Sequence, residues 1–160
     1  MSRALGLQSA QEAEHAALAE LLGRALPAPG ATSPALVALR TLEYRIEGSL
    51  ASGDLAGSLL GLQGVVEHLG ETVLERLDPN RHGAPFLAPA HRRVLAQERG
   101  HVALGARWLA ELEAELSEAA LAEYVGLGDA VSAGVCEVLD VAPPSQGVEA
   151  RVRAWIAGAS

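Results

Sequence analysis

The chain has 160 residues, 49% of them apolar, and a formal charge of −8, which is enough material for a folded core and argues against disorder. It contains no lysine, and its twelve arginines face twenty acidic residues with no basic stripe, so nucleic acid is disfavoured as a partner. Ala, Leu and Glu dominate and aromatics make up only 3%, so an all-α fold is predicted.

Proline and glycine divide the chain into elements. The first helix is expected from about Ser9 to Leu26, ended by the turn-rich run Pro27-Ala-Pro-Gly-Ala-Thr-Ser-Pro34. Ser33 suits an N-cap, with Pro34 opening a second helix that reaches Ser52. Gly53 and Asp54 mark a break, and a third segment continues to Leu77. After the loop beginning Asp78-Pro-Asn-Arg-His-Gly, a long helix is predicted from Pro89 to Leu116, and Ser117 caps another from Glu118 to Asp140. A linker starting at Val141 leads to a short amphipathic helix carrying Val148, Val152, Trp155 and Ile156. Residues 1–140 therefore form a helical bundle of about four main helices, and 141–160 a linker with a C-terminal helix. The longest apolar run, residues 55–66, is interrupted by Ser58 and Gln63, so no membrane span is expected and the protein reads as cytoplasmic. The single cysteine, Cys136, reads as a small buried apolar residue.

One short pattern occurs twice, as Glu12-Ala-Glu-His15 and as Glu98-Arg-Gly-His101. At i and i+3 the two side chains of each pair share a helix face, so both can reach one ion. Each pair also lies on an apolar seam: Gln8, Glu12, His15, Ala19, Leu22 in the first helix, and Val94, Glu98, His101, Gly105, Trp108 in the fourth. The third segment adds Leu60, Gln63, Glu67, Gly70, Leu74, with Glu67 inward. Buried carboxylates are costly unless paired or bound to metal, and a carboxylate and imidazole set without cysteine suits iron or manganese. The line Gly64, His68, Glu71, Glu75 reads instead as a solvated face, and Tyr44 and Trp108 read as core.

These residues are similar to those of a known family. The segment Gln97-Glu-Arg-Gly-His-Val-Ala-Leu-Gly-Ala-Arg-Trp-Leu109 resembles the last ligand helix of ferritin-like di-iron oxidases and oxygenases. Leu62-Gln-Gly-Val-Val-Glu-His-Leu69 looks like their lone-Glu helix, and Gln11-Glu-Ala-Glu-His-Ala-Ala-Leu18 like their first Glu-x-x-His. The resemblance, nearest to the ribonucleotide-reductase-small-subunit and arylamine-oxygenase branches, implies a ferritin-like bundle holding two iron ions, or manganese. It implies oxygen activation on a small organic substrate, with Glu67 and Glu98 as bridges, Glu12 terminal or bridging, and His15 and His101 terminal. The family has a further lone Glu on a helix before the first Glu-x-x-His, where this chain has eleven residues before Glu12. Glu43 is the best substitute, on the seam Leu36, Leu39, Glu43, Ile46, Leu50, with Glu47 second. Without a leading helix an apolar groove should need covering, by a partner subunit or by the C-terminal helix with Trp155 and Ile156, and a homodimer is expected. The competing expectation is a non-catalytic dimerisation or ligand-binding module with a vestigial metal site.

Overall fold

Gly53 adopts φ +77, a left-handed conformation that favours glycine, and so ends α2 (Pro34–Ser52). Asp54 follows, and its carboxylate accepts a hydrogen bond from the Gly57 amide at 2.8 Å, capping α3 (Leu55–Leu59). α3 runs without interruption into a π-helix (Leu60–Val66) and then α4 (Glu67–Arg76). The chain continues through α5 (Ala88–Glu111), α6 (Glu118–Leu139) and α7 (Val148–Ile156), and the helical residues 6–16 are designated α1.

The computed structural model describes residues 6–16, 34–77, 79–80, 83, 85–139, 142–144 and 146–157. The expected run of the first helix to Leu26, the turn from Pro27 and the Ser33 cap lie outside the described residues. Among the described residues all regular structure is helical and no strand occurs, as composition predicts. None of the described helices is long and apolar enough to cross a membrane. The chain divides into two compact units, Met1–Ala31 and Thr32–Ser160.

In the larger unit the run formed by α3, the π-helix and α4 is the central element. Residues 56–61, 63–65 and 67–69 are all buried, and the π-helix alone touches α2, α5, α6 and α7. Small residues make this approach possible. A Cβ on Gly61 would collide with Ile46 and Tyr124, and one on Gly64 would press on Leu109. Leu42, Leu60, Val65, Leu109, Val148 and Val152 are fully buried around it, and each such side chain contributes roughly 1.5–3 kcal/mol of transfer free energy.

The end of α5 differs from expectation. α5 stops at Glu111, and a 3-10 turn (Glu113–Glu115) occupies the stretch assigned from sequence to the same helix. Glu111, Glu113 and Glu115 gather where the negative end of the helix dipole disfavours them. Ser117 then caps α6 by accepting from the Ala120 amide at 3.1 Å. α7, the short C-terminal amphipathic helix expected from sequence, packs on α5, α6 and the π-helix, and its first amide donates to Asp129 at 2.9 Å.

Candidate metal centre

The π-helix and α4 run alongside α5 in the opposite direction, and three layers of contact register the pair. In the first, Gly70 faces Glu98, so closely that a Cβ on Gly70 would stand 3.2 Å from Glu98 Oε2. Three residues back along α4 and three forward along α5, His101 Nδ1 lies 3.2 Å from Glu67 Oε2. Four residues further in the same senses, Gln63 packs against Gly105, where a Cβ would come within 2.7 Å of Gln63 Cβ. The 4,3 spacing of the two apolar seams thus becomes a ladder of matched positions.

The first two layers bring together three of the residues nominated from sequence. Glu67, Glu98 and His101 are buried, and His101 Nδ1 is also 4.0 Å from Glu98 Oε2. One ligand atom from each lies within 4.8 Å of the others. Both acids point inward, as their positions on the seams predict. Glu12 and His15 belong to the N-terminal unit, where His15 Nδ1 stands 3.5 Å from Glu12 Oε2 in the expected i,i+3 contact. The structure does not bring Glu43 to the triad. Glu43 and Glu47 are exposed on α2, at the rim of an apolar pocket of about 370 Å³ lined by Leu39, Leu42, Ile46, Leu62 and Val66. Tyr44 is exposed rather than core, while Trp108 is buried as expected.

The line read as a solvated face requires correction, because His68 and Glu71 are buried. The face of the central run that carries His68 and Glu71 is covered by α7. Arg151 from α7 donates to His68 Nδ1 at 2.9 Å and to Glu71 Oε2 at 3.3 Å. Arg99 approaches Glu71 at 3.7 Å and pairs with Glu75 at 2.9 Å. An arginine can only donate, so His68 Nδ1 is the acceptor and Nε2 carries the hydrogen. The imidazole meets the Trp155 ring edge-on, with centroids 5.9 Å apart. Burial, reinforced by the Arg151 charge and opposed by Glu75, lowers the His68 pKa to about 4. This imidazole is neutral at physiological pH. The sequence signal for its burial was the glycine-rich run through Gly57, Gly61 and Gly64, which marks a helix that others approach closely.

Two carboxylates and an imidazole converging in a helical interior form a donor set that could hold a metal ion. The glycine at position 70 contributes by leaving space for the Glu98 carboxylate. Comparison with known protein families, with curated proteins and with solved structures finds no match to this chain.

Proposed function

We propose that the protein is a ferritin-like carboxylate metalloprotein with a dinuclear iron, or manganese, centre that oxidises a small organic substrate with oxygen. The supporting observation is the convergence of Glu67, Glu98 and His101 in one buried group, since these are the residues that the family resemblance nominates on its last two ligand helices. In this reading Glu67, Glu98 and His101 would hold the metal. Glu12 and His15 match the family's other Glu-x-x-His pair by the same resemblance. When bound, the metal pair supplies oxygen activation and the redox equivalents. The chain itself supplies a buried, water-poor setting, two inward carboxylates and the glycine that admits one of them. A homodimer accords with the apolar pocket beside α2 and with the exposed Leu39 and Leu62 at its edge.

One observation favours a second reading. The 3.2 Å contact between His101 and Glu67 also suits a structural carboxylate–imidazole pair in a non-catalytic helical module. Oxygen uptake separates the two. Protein loaded anaerobically with ferrous iron should consume oxygen when mixed with aerated buffer, faster than free ferrous iron does. Uptake at the rate of free iron, with no iron retained after desalting, rejects the oxidase reading.

A further inference from the structure

The third layer of the ladder has a property that the metal ligands do not explain. Gln63 is 1% exposed, and its Oε1 has no hydrogen-bond partner among the described residues. A buried amide left in that state costs free energy comparable to a lost hydrogen bond, and an apolar residue of the same shape avoids the cost. Gln63 also stands in the π-helix, a conformation frequently associated with functional sites. Opposite it Gly105 has no side chain, and a Cβ there would lie 3.0 Å from Oε1. The helix pair therefore keeps a polar acceptor, and the glycine that makes space for it, one turn from Glu67 and His101. A turn of helix spans about 5.4 Å. That is about the extended length of five heavy atoms in line.

We propose that Gln63 is the residue that orients the substrate: its amide oxygen accepts a hydrogen bond from a hydroxyl or N–H group of a small oxygen-bearing ligand whose other end reaches the Glu67, Glu98 and His101 group. The inference rests on the metal reading above and deepens it, by assigning the substrate class as small molecules with a hydrogen-bond donor about one helical turn from the metal-binding end. Gly105 serves as the positioning residue that keeps the Gln63 amide in place.

The test uses the full chain loaded with cobalt(II), whose visible spectrum reports ligand binding without turnover. The probes are 3-hydroxypropionate and butyrate, which have the same number of heavy atoms and differ by a hydroxyl in place of a methyl. Wild-type protein should bind 3-hydroxypropionate about tenfold more tightly, the worth of one net hydrogen bond. Gln63→Met, unbranched and of similar length, should reduce that preference to within about twofold while cobalt stays bound, and without cobalt it should melt at or above the wild-type temperature. Gly105→Ala should reduce the preference in the same direction, which keeps the test valid should the first variant fold poorly. Binding of neither acid, equal affinities in the wild type, or a preference that survives both substitutions overturns the assignment of Gln63. Failure of the wild type to bind cobalt is a different result, because it removes the metal reading and this one with it.

Discussion

Two buried polar clusters lie on the same central helix, and their chemistry differs. Around Glu71 the chain supplies its own counter-charge: Arg151 and Arg99 bracket the carboxylate, and a neutral His68 accepts from Arg151. Around Glu67 the converging groups are a second carboxylate and an imidazole, all buried and all capable of ligating. A cation drawn to the first cluster would meet two guanidinium groups, whereas the second brings ligand atoms of Glu67, Glu98 and His101 within 4.8 Å of one another. In the metal reading, neighbouring residues on one helix serve cohesion and metal binding, and the tertiary partner decides which.

The largest expected effect sharpens the cohesive side. The His68 pKa is held at about 4 in the folded protein and returns toward the ordinary imidazole value of 6.5 on unfolding. Between those values the unfolded chain binds the extra proton, so stability is complete above about pH 6.5 and declines as pH falls toward 4. At 1.36 kcal/mol per unit the loss approaches ~3 kcal/mol. Urea unfolding from pH 7 to pH 4 in the presence of chelator should show it, and His68→Gln should flatten that part of the profile. A slope unchanged in the variant would mean that another group titrates there.

Arg151→Met comes next. It removes the donor to His68 and one of the two cations at Glu71, and it should cost about 2–3 kcal/mol, because an acid is left buried with weaker compensation. Adding Glu71→Gln should restore part of the loss, giving a measurable coupling energy in a double-mutant cycle. Additive losses would contradict the contact.

Gly70→Ala acts on the other cluster and by less. Helix propensity gains up to ~1 kcal/mol from the substitution, but the new methyl stands close to the Glu98 carboxylate. Chelator-treated protein should therefore be nearly unchanged or slightly more stable, while metal affinity falls, a separation that calorimetric titration resolves. The smallest effect is expected at the exposed Glu118–Arg153 pair. Hydrogen bonding to Arg153, with its charge, lowers the Glu118 pKa. Even so Glu118→Gln should leave the urea midpoint unaltered, because water screens the pair.

How much of this was legible in the sequence depended on whether the information was local. The break at Gly53 and Asp54, the Ser117 cap and the inward direction of Glu67, Glu98 and His101 follow from turn chemistry and helical period, and the structure has each of them. The burial of His68 and Glu71 did not follow, because it requires knowing that α7 returns across the central helix from 80 residues away. Periodicity assumes one wet face. A helix contacted by α2, α5, α6 and α7 keeps only a few exposed positions such as Leu62 and Glu75, and a π-helix shifts the register on which the pattern rests. Gln63 was read as one member of a seam, and only the register with Gly105 singles it out.

The central claim is that Glu67, Glu98 and His101 bind metal, and one comparison tests it directly. Wild-type protein and Glu98→Ala, both expressed in iron-supplemented medium, are analysed for bound metal and melted side by side. The expected result is iron or manganese in the wild type, a sharp loss of it in the variant, and a lower melting temperature there, since a ligand that binds only the folded state at a hundred times its Kd contributes about 2.7 kcal/mol. A wild-type protein without metal, together with a variant that melts higher because a buried acid has been removed, would contradict the account.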